Sequence, residues 1–284
     1  MRRVVWPLLS VMFLVLVPVL SASEPPAVRA AVSVDPQAFF VEKVGGARVE
    51  VQVLIPATAN HESYSPTVGQ MLHLSNADLY FAVGDPHFGF EAVYLEKIKS
   101  GTPGLRVIDL SKGIELLPED PHLWLSPRAV EIQVETIRAA LTEYDPAGAA
   151  VYEANAAAFR AEIGTLTERI RANFAGLEQR TFLTFHPAWG YFARDFGLTQ
   201  LAVEEHGKPP GPGELAGLME KAKGLGIKTV FVQPQSDQRM AETLAAGLGG
   251  RTQLVDPLSR NWAVNLEQVA QLIAESLGKP AVTN

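Results

Sequence analysis

Beyond residue 23, short apolar runs alternate with longer amphipathic stretches, the pattern of an α/β chain. In the first half, residues 28–34, 49–55, 78–83 and 105–110 read as strands. The stretches between them read as helices: 36–44, a segment from the loop at 56–66 to about 75, one ending at Lys99 and one ending near Tyr144. Gly45-Gly46 closes the first of these. The second half repeats the alternation, with strands at 181–185, 198–203, 228–232 and 252–255 and helices at 188–196, 214–225, 237–248 and 266–277. Residues 146–178 differ. They are rich in Ala, Glu and Arg, and Tyr152, Phe159, Ile163, Leu166, Ile170 and Phe174 recur at three- and four-residue steps. That is one amphipathic helix of about 30 residues, some 45 Å long at about 1.5 Å per residue. It is too long for a crossover helix and, with about four heptads, too short and unpartnered for a coiled coil. The pattern predicts an α/β fold of two lobes, each a mainly parallel sheet flanked by helices, joined by one long rigid helix. The lobes are expected at 24–145 and 179–284. No internal sequence repeat or low-complexity segment interrupts this plan.

The first residues change the picture. Arg2 and Arg3 precede an apolar run of about 15 residues from Trp6 to Leu20, followed by small residues at Ser21, Ala22 and Ser23. This is the pattern of a secretory signal peptide over residues 1–23, and the run falls short of the roughly 20 residues that span a bilayer. The 284 residues contain no cysteine, so neither a disulfide nor a lipidated thiol is expected. A soluble, monomeric periplasmic protein without a lipid anchor follows as the expectation. Hydrophobic residues make up 47%, enough for a sizeable core. The net charge of −7 argues against a nucleic-acid partner, which would need clustered Lys and Arg.

Candidate chemistry rests on histidines. His61 (ANHESYSP), His122 (EDPHLWLSP) and His186 (TFHPAWGYF) each sit just past a predicted strand or in a loop, close to a proline. Asp256 (LVDPLSRNW) follows a strand in the same way. Ligands of α/β sheets bind at the carboxyl ends of strands, so these four side chains can converge on one cleft. Three imidazole nitrogens and one carboxylate suit a tetrahedral Zn²⁺ site. No short-spaced metal motif such as HExxH is present, nor a GxSxG elbow or a phosphate-binding glycine loop. His73 reads as structural on a helix face. His87, in a second Asp-Pro-His tripeptide, and His206, beside Glu204 and Glu205, read as structural or surface residues, with a place at the cleft mouth and a weak transient metal contact as their respective alternatives. Of Trp124, Trp189, Tyr191 and Trp262, most are expected in the core and some beside the metal.

At these residues the chain resembles the zinc/manganese-specific solute-binding proteins of metal ABC transporters. The similarity runs through VEKVGGARVEVQVLIP, SYSPT, SNADLYFAVG, DPHLWLSPRAV, TFHPAWGYFARDFGL, TVFVQPQSDQRMAETLA and VDPLSRNW. It implies a periplasmic protein that captures Zn²⁺, or Mn²⁺, between two lobes and delivers it to a membrane permease served by a cytoplasmic ATPase. It also implies His122, His186 and Asp256 as ligands, with His at position 186 favouring zinc. The first ligand is carried over as His61. One extra residue separates it from Tyr64, so Glu62 stands as an alternative ligand or as a group that orients His61. The histidine- and acid-rich loop of many zinc-type members is not expected, because residues 112–119 leave no room for it. Two rival readings remain: a zinc hydrolase with Glu62 or Glu205 as base, and a manganese or iron carrier of the same fold.

Overall fold

The computed structural model describes residues 26–204, 208 and 210–279. The segment read as a signal peptide and His206 lie outside the described residues.

The first lobe holds β1 (Val28–Val32), β2 (Val49–Val53), β3 (Leu79–Ala82) and β4 (Arg106–Asp109), in the order β2-β1-β3-β4. The second holds β5 (Thr181–Thr184), β6 (Thr199–Ala202), β7 (Thr229–Val232) and β8 (Arg251–Leu254), in the order β6-β5-β7-β8. Every pairing is parallel. The two sheets therefore share one topology, although no repeat is visible in the sequence. Central strands covered on both faces read as continuous apolar runs, and all four residues of β3 are buried. The edge strands β4 and β8 carry the pattern of partly exposed residues expected at a sheet rim.

Nine helices flank these sheets among the described residues: α1 (Asp35–Gly45), α2 (Val68–Leu74), α3 (Gly89–Gly101), α4 (Pro127–Tyr144), α5 (Ala149–Asn173), α6 (Gly190–Phe196), α7 (Pro212–Gly224), α8 (Gln238–Gly247) and α9 (Trp262–Ser276). Local chemistry sets their ends. Proline stands in the first turn of α1, α4 and α7, where its missing N–H costs nothing. Ser126 caps α4 by accepting from the Ala129 N–H at 2.9 Å.

The linking helix α5 is shorter than its periodicity suggests. Pro146 opens a 3₁₀ turn over Pro146–Gly148, so the α-helix begins only at Ala149. Past Phe174, Gly176 turns the chain with a φ of 76°. The 25 residues give a strut of about 37 Å. Its buried stripe of Tyr152, Ala156, Phe159, Ile163, Leu166 and Ile170 follows the predicted spacing. It packs on α1 and α4 of the first lobe and on α9 of the second. α9 begins at Trp262, four residues before the apolar period suggests, because the polar Asn265 interrupts the pattern.

The lobes are not separate bodies. One apolar core runs from Val32, Phe40 and Trp124 through Phe159 and Ile170 to Trp189, Phe192, Trp262 and Ile273. A smaller core around Leu183, Val230, Ala241 and Leu244 fills the outer part of the second lobe.

Candidate metal centre

The loops that follow β2, β4 and β5 bring His61, His122 and His186 together. Ligand nitrogens of all three lie within 4.8 Å of one another, and all three residues are buried. The rings of His61 and His122 have centroids 5.1 Å apart, those of His122 and His186 5.3 Å, and those of His61 and His186 5.8 Å. One imidazole thus comes from the second lobe and two from the first. His186 follows β5, the strand at which the order of the second sheet reverses, where α/β proteins habitually bind ligands.

Each ring is oriented by what its chain neighbourhood provides. Asp120 Oδ1 accepts from the His122 backbone N–H at 3.0 Å and lies 2.8 Å from its Nδ1. Pro121 between them keeps this turn tight. Glu204 Oε2 lies 3.0 Å from His186 Nδ1. With Nδ1–H donated to a carboxylate, each ring keeps a lone pair on Nε2, the tautomer a metal needs. His61 Nε2 lies 3.0 Å from His122 Nε2. Two imidazole nitrogens that close hold together only through a shared proton or a shared cation. Burial holds His61 well below the ordinary imidazole range, and the facing His122 and His186 add to the effect. The ring is therefore neutral at pH 7. Buried nitrogens at His61 Nδ1 and His186 Nε2 have no hydrogen-bond partner. Leaving them so is costly, and a cation at the centre of the three rings would engage His186 Nε2.

The wall is aromatic. Phe88 stacks on His61 with centroids 6.1 Å apart, and Trp124 meets His122 edge-on at 5.2 Å. Trp124 Nε1 donates to the Pro257 carbonyl at 2.7 Å, tying the turn after His122 to the second lobe. Gly89 allows the His61 loop to sit this close: a Cβ there would lie 2.9 Å from the Glu62 carbonyl oxygen.

Of the sequence-predicted residues, Glu62 reaches the cluster, its Oε1 3.5 Å from His186 Nε2. Asp256 is not among the groups lying within 4.8 Å of one another. Its Oδ1 accepts from the Leu258 N–H at 2.9 Å, and burial raises its pKa. His87 and His73 lie apart from the cluster, His87 half exposed and His73 exposed on α2. Trp124, Trp189, Tyr191 and Trp262 are all buried, and Trp124 packs directly on the site. Sequence reasoning missed the orienting roles of Asp120 and Glu204. Asp120 had a signal in the Asp-Pro-His tripeptide. Glu204, one of two adjacent glutamates, had none.

The chain matches the family described as zinc-uptake complex component A, periplasmic (ZnuA), over residues 31–276. It is 26% identical over 250 residues to the high-affinity zinc uptake system protein ZnuA of Bacillus subtilis, covering 78% of this chain and 76% of that one. It is 29% identical over 219 residues to the manganese-binding lipoprotein MntA of Halalkalibacterium halodurans, covering 74% and 72%. A crystal structure of ZnuA superposes with a TM-score of 0.85 at 40% identity, covering 89% of this chain and all of that one. A zinc-bound ZnuA deletion mutant gives 0.85 at 39%, covering 89% and 99%. The three converging imidazoles thus sit in a two-lobed frame shared with these proteins, and the chain belongs to the ZnuA family of metal-binding solute-binding proteins of ABC transporters, which are not enzymes.

Proposed function

We propose that this protein takes up Zn²⁺ through Nε2 of His61, His122 and His186, with the Glu62 carboxylate as the fourth donor. The observation that carries this reading is the convergence of three buried imidazoles, two of them backed by carboxylates. Borderline nitrogen donors in a set of four suit zinc, whereas Mn²⁺ and Mg²⁺ prefer oxygen. Burying a doubly charged ion requires compensating charge. Glu62, Asp120 and Glu204 supply it at or next to the imidazoles. Asp256 stands as the alternative fourth donor. Its Oδ1 is held by the Leu258 N–H, which leaves Oδ2 as the oxygen it would offer.

The ion is cargo. Loaded protein docks on the permease of an ABC transporter, whose ATPase drives transport. Export through the apolar segment at 1–23 and a soluble monomeric state complete the proposal. A manganese carrier is the second reading, favoured by the similarity to MntA.

Competition titration against a chromophoric chelator tests both readings. Wild type is expected to bind one Zn²⁺ far more tightly than Mn²⁺, and His186→Ala to lose at least about a hundredfold in zinc affinity. Glu62→Gln should weaken binding more than Asp256→Asn. The reverse ranking makes Asp256 the fourth donor, and a preference for Mn²⁺ overturns the zinc assignment.

A further inference from the structure

Beside the three histidines lies a cavity of about 600 Å³. Five carboxylate residues line it, Glu62, Glu119, Asp120, Glu204 and Glu214, and His122 forms part of its wall. Among the described residues that line it, none is Lys or Arg. The carboxylates come from far apart in the chain. Glu62 follows β2, Glu119 and Asp120 precede His122, Glu204 follows β6, and Glu214 stands in the first turn of α7. The cavity therefore lies where the two lobes meet.

Two residues link this cavity to the candidate metal centre. His122 belongs to both, and Glu62, on the cavity wall, sets its Oε1 3.5 Å from His186 Nε2. That nitrogen is buried, has no hydrogen-bond partner and faces the carboxylate. An ion in the cavity that passes Glu62 thus meets an open donor. The stretch at 112–119 contains no histidine that could make first contact with a metal.

We propose that this acidic cavity is the entry chamber for the divalent cation, with Glu119 and Glu214 as its outer steering charges. The inference rests on the metal-capture reading above and adds the route by which the ion arrives. A cleft lined by one sign of charge between low-dielectric walls focuses the field and raises the local concentration of the opposite charge. A doubly charged ion feels each carboxylate twice as strongly as a monovalent one. At physiological salt the screening length is about 8 Å, comparable to the width of such a cavity, so the lining charges act on an ion at its mouth and weaken as salt is added. Glu62, Asp120 and Glu204 then pass the ion to the imidazoles that two of them orient. Glu119 and Glu214 are not part of that inner set, so they govern how fast the ion arrives, while the inner donors set how fast it leaves.

Stopped-flow uptake of Zn²⁺, read by intrinsic tryptophan fluorescence or a competing indicator, tests the route. The variant is Glu119→Gln combined with Glu214→Gln. Glutamine at 214 can still accept from the Gly211 N–H that Glu214 engages at 2.8 Å, so the start of α7 is kept. The control is Glu153→Gln with Glu168→Gln on exposed positions of α5, which removes the same charge away from the cavity. The chamber variant is expected to lower the association rate about tenfold at low salt and to flatten its dependence on ionic strength. The dissociation rate should stay at the wild-type value, and the control should behave as wild type. An unchanged association rate, or an equal fall in the control, overturns the entry route alone. A wild-type protein that takes up no zinc overturns the metal-capture reading and the route with it.

Discussion

The tripeptide Asp-Pro-His occurs twice and folds the same way twice. Asp120 Oδ1 accepts from the His122 backbone and lies beside Nδ1 of its ring. Asp85 Oδ1 does the same for His87, at 2.8 Å from the backbone nitrogen and 3.1 Å from Nδ1. Local chemistry alone thus cannot make a metal ligand. The side chain of His122 is 2% exposed and that of His87 50%, and that difference separates them. Asp120→Ala and Glu204→Ala are each expected to weaken zinc affinity by about 10- to 100-fold, because the ring they hold becomes a poorer and less oriented donor. His87→Ala should leave the affinity unchanged. Equal losses in all three variants, read as dissociation constants at fixed pH, would show that the orienting bonds carry no special weight.

At the scale of elements, the helix stop at Gly45-Gly46 was legible, and the strands were found to within a residue or two. What sets strands beside one another is less visible. Asp78 accepts from the Arg29 backbone N–H at 2.8 Å and from the Arg29 guanidinium at 3.1 Å, pinning the start of β3 to β1. Burial pushes the Asp78 carboxyl upward, but the bonds from Arg29 outweigh it and hold the group below the ordinary value of 3.8. A carboxyl with a depressed folded-state pKa binds fewer protons folded than unfolded. Its stabilisation is therefore complete above the unfolded value and is lost as pH falls through the folded one. Asp78→Asn should lower the melting temperature at pH 7, and its gap from wild type should close as the pH drops below about 4. A gap that stays constant from pH 7 to pH 3 would rule out the charged bond as its source.

At the scale of the molecule, the two lobes share one core, and α5 is its spine. Phe159 on α5 packs on Phe39 and Phe40 of α1 and on Trp262 at the start of α9. Further ties cross between the lobes. Gln235 Nε2 donates to the Ala57 carbonyl at 2.5 Å, and Arg260 pairs with Asp35 at 2.9 Å and with Glu42 at 2.5 Å. Exposed pairs of the latter kind contribute little each, so the shared apolar core dominates. Phe159→Ala should cost about 3–5 kcal/mol and destabilise both lobes together, visible as one shifted urea transition. Two separated transitions would show that the lobes fold independently.

By itself the sequence determined what local periodicity encodes. Apolar residues two or three to four positions apart name strands and helices, the long stripe from Tyr152 to Ile170 names the spine, and histidines placed after strands name the candidate ligands. Tertiary structure decided which of those candidates meet. Contact between residues 61, 122 and 186 depends on strand order and on the packing of one lobe against the other, neither of which leaves a periodic trace. The same packing brought Glu62 and Glu204 to His186, left Asp256 bonded to its own loop and His87 in solvent, and gathered five scattered carboxylates around one cavity.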